Sequence, residues 1–205
     1  MVKLREVMDF WNELAKSDLE DRAAIGAPKS TQFIDVDIRG DLILDVGVGY
    51  GRYAIPLANK GKFVVGIDVS LNMLYRLRRY CNDVHAILAS GTHLPFRDEV
   101  FDAAISLATL YYIPGWEHVV REVARTLKRG GAAKMDFRGF SLRNILREII
   151  LRSLKRIGIK RPWLYAVENR LTTQQYLTKI LKENSLVVKS IKGDKTRFLV
   201  EVTKC

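Results

Sequence analysis

The sequence predicts an α/β fold in which helices cover both faces of a doubly wound, mostly parallel sheet. Three observations support this prediction. Between residues 41 and 137, apolar runs typical of strands alternate with helical patterns. These runs are almost continuously apolar, as expected of parallel strands that are buried on both faces. Two strand-like runs, at residues 186–191 and 197–202, predict an antiparallel hairpin near the C-terminus.

The length of 205 residues and the hydrophobic content of 48% fit one domain with a sizeable core. We divide this domain into four segments. Residues 1–40 form an N-terminal helical cap, and residues 41–137 form the core. Residues 138–170 are a basic helical insertion, and residues 171–205 form the final helix and hairpin.

Local patterns predict the elements of the cap and the core. Residues 3–26 have the spacing of an amphipathic helix, which Pro28 ends. A packing role is the default for this helix, and a role as a lid over a site is a hypothesis. The predicted strands of the core are 41–46, 62–68, 84–88, 101–107 and 132–137, and its predicted helices are 52–60, 70–80 and 116–128.

A basic helix is predicted over residues 142–157, between Ser141 as a cap and Gly158 as a terminator. Its apolar stripe faces inward if the helix packs over the cleft. The stripe consists of Leu142, Ile145, Leu146, Ile149, Leu154 and Ile157, and the basic residues lying largely away from it are Arg143, Arg147, Arg152, Lys155 and Arg156.

The final segment predicts a helix followed by a hairpin. Thr172 and Gln175 have the spacing of a capping box, so the helix begins at Thr172 and runs to Glu183. The two strand-like runs that follow cover residues 186–191 and 197–202.

The net charge of +11 is unevenly distributed. Residues 1–40 carry −2, residues 41–137 carry +2, and residues 138–205 carry +11. Such asymmetry favours attraction to a polyanion or to an anionic membrane surface. A solvated basic surface without a partner is the alternative.

A glycine-rich turn follows the first predicted strand, in the run Asp45-Val46-Gly47-Val48-Gly49-Tyr50-Gly51. Glycine allows sharp turns and close approach of a ligand to the backbone, and the helix that follows directs free N–H groups at an anionic group. A dinucleotide site would require a third glycine at position 52, where Arg52 stands. Asp68, 21 residues after Gly47, ends the second strand, where a carboxylate can accept hydrogen bonds from ribose hydroxyls.

The run from Asp45 to Gly51 resembles the first motif of the class I S-adenosylmethionine-dependent methyltransferases, and three further blocks in the same order are similar to that family. They are Asp68–Leu74, with the order D-V-S-L-N-M-L; Leu94–Asp102, with L-P-F-R-D-E-V-F-D; and Val119–Gly131, with V-V-R-E-V-A-R-T-L-K-R-G-G. Arg129 stands where the family usually has proline. The resemblance covers residues 41–137 closely and implies a Rossmann-like sheet and S-adenosylmethionine as the cofactor.

The resemblance also implies which residues bind the cofactor. They are Asp45, Gly47, Val48, Gly49, Gly51, Asp68, Val69, Met73, Ser90, Gly91, Thr92 and Leu107. The family often has an acidic residue that accepts from the adenine amino group at the position of Ser90. A serine hydroxyl accepts more weakly than a carboxylate, so adenine would depend more on backbone N–H groups at Gly91 or Thr92. A plain turn residue is the equal alternative for Ser90.

Candidate acceptor-binding residues follow the fourth predicted strand. Tyr111 and Tyr112 stand at the carboxyl edge, where open α/β sheets bind ligands. Aromatic packing under a loop is the alternative for both. The sequence identifies no catalytic residue: His93 and His118 are the histidines nearest the predicted cleft, and a lone histidine is more often a surface or core residue than a base. The histidines also lack the close spacing of a metal site.

The sequence therefore predicts a methyltransferase that uses S-adenosylmethionine, with a small or lipid-like acceptor of the quinone type. The alternative is a non-catalytic or RNA-directed module that binds the cofactor and uses its basic C-terminal third. The predicted partner of residues 142–157 is an anionic membrane surface or RNA. Because the chain has two cysteines and no apolar run of 18 residues, we expect it in the cytoplasm or peripheral to a membrane.

Overall fold

The computed structural model describes residues 4–16, 37–158 and 171–205. The strands are β1 Leu42–Val46, β2 Phe63–Asp68, β3 Val84–Leu88, β4 Phe101–Ser106, β5 Leu127–Gly139, β6 Leu171–Thr172, β7 Leu186–Gly193 and β8 Arg197–Lys204. The helices are α1 Leu4–Leu14, α2 Ala54–Asn59, α3 Leu71–Tyr80, α4 Trp116–Thr126, α5 Leu142–Arg156 and α6 Gln174–Glu183, with a 3-10 turn at Leu110–Tyr112.

The strands form one sheet in the order β3-β2-β1-β4-β5-β8-β7, and β6 pairs with the end of β5. Strands β1 to β5 are parallel, whereas β8 runs antiparallel to both β5 and β7. The order turns back between β1 and β4, and ligands of open α/β sheets bind outside the carboxyl ends of the strands at such a point. The predicted fold, including the antiparallel C-terminal hairpin, is confirmed.

Both faces of the sheet carry apolar cores because strand residues alternate between faces. On one face, Ile43 packs in a cluster with Leu57 of α2 and Leu77 of α3. On the other face, Leu44 packs in a cluster with Val119 of α4 and Leu177 of α6. All of these side chains are at most 2% exposed. The two cores hold the strand ends in fixed relative positions.

Several element boundaries differ from the predictions. The predicted helix 3–26 ends at Leu14 in the structure, and residues 17–36 lie outside the described residues. The strand predicted at 132–137 already begins at Leu127, because Leu127 pairs with Phe101 before an irregularity in the register. The predicted cap at Thr172 was wrong: Thr173 caps α6 by accepting from the Tyr176 N–H, whereas Thr172 pairs with Gly139 in β6.

The predicted apolar stripe of helix α5 faces outward and does not pack inward over the cleft. Among the described side chains of this helix, the two that are buried are polar, Asn144 and Glu148. Asn144 donates from Nδ2 to the carbonyl oxygens of Gly139 (2.9 Å) and Thr196 (2.8 Å), and these bonds fix the rotation of the helix. Five of the six apolar side chains of the predicted stripe are exposed, up to 73% for Leu142, and Leu154 is half-buried. No helix within the described ranges is long and apolar enough to cross a membrane.

Asp45 is a carboxyl group buried in the centre of the sheet. It lies opposite Gly66 of β2 and Ile105 of β4, and it is 2% exposed. Its Oδ2 atom has no hydrogen-bond partner among the described residues. Burial, together with the charge of Asp68, raises the pKa of Asp45 from 3.8 to about 8. The group is therefore largely protonated at neutral pH.

Replacing this carboxyl group should change how stability depends on pH. The unfolded chain binds fewer protons than the folded chain between pH 3.8 and about 8, so Asp45 lowers stability as pH rises through that interval. The variant Asp45→Asn should gain free energy of unfolding relative to the wild type across it, by at most about 1.4 kcal/mol per pH unit.

Urea unfolding at several pH values between 4.5 and 8.5 measures this difference. The exposed Asp83→Asn is the control and should show no such trend. Parallel curves for Asp45→Asn and the wild type would contradict the buried, proton-binding role of Asp45.

Candidate functional site

A cavity of about 340 Å³ opens at the carboxyl ends of the parallel strands. The loop after β1, the tip of β2 and the turn after β3 line one end of it. The segment after β4, with Arg138 of β5 and Arg197 of β8, lines the other end. Helix α1 contributes Val7 and Trp11 to the lining. The cavity thus spans the point where the strand order turns back.

The glycine-rich loop has the conformation that its sequence requires. Gly47 has φ +81°, and a Cβ there would collide with the side chain of Thr109. The N–H groups of Gly47 and Val48 both donate to the carbonyl of Ile67, at 2.8 and 2.9 Å, which ties the loop to β2. Gly49 has φ +54° and has no atom within 4 Å of the position of a Cβ. The loop therefore leaves open space for a ligand at Gly49.

Asp68 lies at the tip of β2 and lines the cavity. Its Oδ2 accepts from the Gly49 N–H at 2.9 Å, and its Oδ1 accepts from the Ser70 N–H at 2.8 Å. Burial raises the pKa of Asp68, and the backbone hydrogen bonds oppose that rise. Each carboxylate oxygen has a second acceptor site, so Asp68 can accept from ligand hydroxyls while it holds the loop.

Most of the predicted site residues line this cavity. They are Gly47, Val48, Gly49, Asp68, Val69, Met73, Ser90, Gly91, Leu107, Tyr111 and Tyr112. Three predicted residues, Asp45, Gly51 and Thr92, are not part of the lining. A Cβ at Gly51 would clash with Leu77 and Ile55, so this glycine is needed for packing beneath the loop.

Ser90 is a turn residue that also lines the cavity. It lines the cavity, and its Oγ lies 2.8 Å from Thr92 Oγ1. The N–H of Thr92 donates to the same Ser90 oxygen at 3.3 Å. The turn therefore uses part of the hydrogen-bonding capacity of Ser90, which leaves the backbone of Gly91 as the nearby polar alternative.

Helix α1 closes part of the cavity and is held by the cap of α3. Ser70 Oγ accepts from the Met73 N–H at 3.2 Å and donates to Asn12 Oδ1 at 2.8 Å. The Trp11 ring packs edge-on against Tyr112, with 5.3 Å between centroids. This arrangement supports the hypothesis that the N-terminal helix acts as a lid.

The opposite end of the cavity is aromatic and basic. The Arg138 guanidinium lies 4.5 Å from the centroid of the Tyr111 ring. Asp136, which is fully buried, accepts from the Ala108 N–H at 2.6 Å and from Arg197 Nε. Ala108 has φ +59°, an uncommon conformation for alanine that Asp136 helps to hold.

Sequence reasoning missed several lining residues at this end. The sequence analysis counted Arg138 and Arg197 only within the basic C-terminal excess. In the structure Arg138 lies near the end of β5 and Arg197 begins β8, and both line the cavity. None of the three histidines lines the cavity. Burial raises the pKa of Tyr111, so its hydroxyl stays protonated and can donate a hydrogen bond but does not act as a base.

Comparison with known proteins agrees with this geometry. Residues 44–134 match a family described as a methyltransferase domain. Phosphatidylethanolamine N-methyltransferase of Cereibacter sphaeroides is 32% identical over 111 residues, covering 51% of this chain and 54% of that protein. Demethylmenaquinone methyltransferase of Paenarthrobacter aurescens is 32% identical over 133 residues, covering 62% of this chain and 51% of that protein. The chain therefore spans about half the length of these curated relatives.

The fold is also shared with a solved structure. Magnesium protoporphyrin IX methyltransferase from Synechocystis PCC 6803, determined with bound SAH, superposes with a TM-score of 0.62. The identity is 17%, and the superposition covers 100% of this chain and 89% of that one. At this identity the likeness shows the fold alone. The domain match over residues 44–134 and the relatives support a class I S-adenosylmethionine-dependent methyltransferase family for this part of the chain.

Proposed function

We propose that this protein transfers a methyl group from S-adenosylmethionine to a small or lipid-like acceptor. The observation that carries the proposal is one continuous cavity with two chemically different ends. One end presents a carboxylate and a glycine-rich loop, and the other presents aromatic rings and guanidinium groups. Such a cavity can hold a nucleoside-containing cofactor and an acceptor side by side.

The residues of the first end fit S-adenosylmethionine. Asp68 would accept from the ribose hydroxyls, and Ser90 and Gly91 would contact adenine. The space at Gly49, which a Cβ would fill, would hold the methionine part of the cofactor. Asp45 lies outside the lining, so we assign it a structural role beneath the loop.

The chain mainly has to orient the acceptor. The cofactor supplies an activated methyl group, and transfer to a nucleophile is an in-line displacement that requires no nucleophile of the protein. Tyr111 and Tyr112 would form the wall that fixes the acceptor, and Trp11 with Tyr112 would exclude water. The non-catalytic alternative predicts cofactor binding without methyl transfer.

The class of acceptor is supported by the lining and by the relatives. Apolar side chains of the lining, such as Val7, Leu107 and Ile113, suit an apolar acceptor. The names of the two relatives are those of enzymes acting on a phospholipid and on a quinone. Because two other relatives are named as tRNA methyltransferases, the apolar lining is the observation that favours a small or lipid-like acceptor over RNA. The cytoplasmic location stays a prediction.

Helix α5 supports a place at the surface of an anionic membrane. Its outward face carries exposed apolar side chains, namely Leu142, Ile145, Leu146, Ile149, Ile150 and Ile157. At about 3.6 residues per turn, Arg143 and Arg147 border one side of this face, and Arg152 borders the other. An apolar face between two basic borders is typical of a helix that lies in a membrane interface. RNA would bind the arginines but leave the apolar face in water.

Removing the Asp68 carboxylate should weaken cofactor binding. The loss of one charge-assisted hydrogen bond costs about 1.5–3 kcal/mol, or roughly 10- to 150-fold in affinity. Calorimetric titration with S-adenosylhomocysteine would compare Asp68→Ala with the wild type, and Asp83→Ala would serve as an exposed carboxylate control. An affinity within twofold of the wild type would show that Asp68 does not hold the cofactor.

A side chain at Gly49 should abolish cofactor binding. In Gly49→Val the branched side chain would occupy the open space of the loop. Gly61→Val is a matched control because Gly61 also has a positive φ, +80°, and open space, but lies outside the cavity. Both variants should lose some stability in thermal unfolding, and only Gly49→Val should lose S-adenosylhomocysteine binding. Equal affinities in the two variants would contradict the assignment of the loop.

The basic borders of α5 should be needed for membrane binding. Each charge near an anionic membrane contributes about 1 kcal/mol, so changing Arg143, Arg147 and Arg152 to glutamine should weaken binding roughly a hundredfold. Cosedimentation with vesicles of phosphatidylglycerol and phosphatidylcholine measures this binding, and phosphatidylcholine vesicles alone are the control. Binding of the wild type to RNA but not to anionic vesicles would contradict the membrane assignment.

A further inference from the structure

We propose that the acceptor carries an oxyanion, a carboxylate or a phosphate, which Arg138 and Arg197 bind at the acceptor end of the cavity. This inference rests on the proposed function, and it names the chemical class of the acceptor. Both arginines line the cavity.

The two arginines are paired across the sheet. Arg138 of β5 lies directly opposite Arg197 of β8 in the antiparallel register. Directly opposite residues of an antiparallel pair point to the same face, and like charges in such a pair destabilise it. An anion between the two guanidinium groups would remove that repulsion.

One nearby carboxylate compensates only part of this charge. Asp136 is bonded to Nε of Arg197 and to the N–H of Ala108. Within the described part of the chain, Arg138 forms no ion pair and contacts the Tyr111 ring instead. Two cations and one anion therefore leave a net charge of +1 at this end of the cavity.

A buried donor of Arg197 also has no partner. Its Nη2 atom is inaccessible to solvent and makes no hydrogen bond with the described residues. A buried donor without a partner is costly, and native structures rarely leave one without a reason. The guanidinium fork matches the oxygen atoms of carboxylates and phosphates. Because the Arg197 side chain is 34% exposed and lines the cavity, its accessible part can bind such an oxyanion.

The position of the pair separates it from the cofactor. Asp68 and Ser90 lie at the ends of β2 and β3, on one side of β1. Arg138 and Arg197 belong to β5 and β8, which lie beyond β4 on the other side. The oxyanion would therefore be part of the acceptor rather than of the cofactor.

Small aromatic probes test this inference in the presence of saturating S-adenosylhomocysteine. Benzoate carries a carboxylate, phenyl phosphate carries a phosphate, and benzamide is neutral. We expect calorimetry to show that benzoate or phenyl phosphate binds at least about tenfold more tightly than benzamide, and the stronger of the two anions identifies the group. Equal binding or equal lack of binding of all three would overturn the inference.

Two variants assign the selectivity to the arginines. Arg138→Gln should lose about tenfold or more in affinity for the preferred anion and keep its affinity for S-adenosylhomocysteine. Because Arg197→Gln would strip the buried Asp136 of its cation, we would combine it with Asp136→Asn, and this double variant should also lose the preference. Arg121→Gln, at an exposed position outside the cavity, is the matched control.

The outcomes separate this inference from the proposed function. If the wild type does not bind S-adenosylhomocysteine, the proposed function fails, and the inference fails with it. If it binds S-adenosylhomocysteine and Arg138→Gln keeps the preference for the anion, the inference alone fails. A loss of S-adenosylhomocysteine affinity in Arg138→Gln would assign the arginine to the cofactor and also overturn the inference.

Discussion

The carboxylate of Asp68 connects the parts of the cofactor end of the cavity. One oxygen accepts from the Gly49 N–H of the glycine-rich loop, and the other accepts from the Ser70 N–H at the start of α3. Ser70 in turn bonds Asn12 of α1. A single side chain at the tip of β2 thus links the loop, a helix terminus and the helix that closes the cavity, while its second acceptor sites remain available to a ligand.

Asp136 has the corresponding role at the aromatic and basic end of the cavity. It is fully buried, and its two oxygens bind the Ala108 N–H and Arg197. The first bond holds the segment that leads to Tyr111, and the second orients a guanidinium that lines the cavity. Burial raises the pKa of Asp136, and Arg197 opposes that rise. The two ends of the cavity therefore each depend on one carboxylate, and the sheet fixes the distance between them.

The sequence predicted those parts of the site that lie in local patterns. The glycine-rich loop and Asp68 are recognisable because a few adjacent residues determine their conformation. Arg138 and Arg197 are 59 residues apart, and only the antiparallel insertion of β8 brings them together. The sequence also did not predict the rotation of α5 about its axis, because hydrogen bonds from Asn144 to Gly139 and Thr196 determine which face is buried. Tertiary contacts of this kind leave no periodic pattern in the sequence.

We expect the cavity to bind an adenosyl cofactor rather than a dinucleotide. Arg52 stands where a dinucleotide site requires glycine, and it lines the cavity with its guanidinium bonded to the Tyr50 hydroxyl. Calorimetric titration of the wild-type protein with S-adenosylhomocysteine and, separately, with NADH tests this claim most directly. The account predicts saturable binding of S-adenosylhomocysteine with no binding of NADH. Binding of NADH without binding of S-adenosylhomocysteine would contradict it.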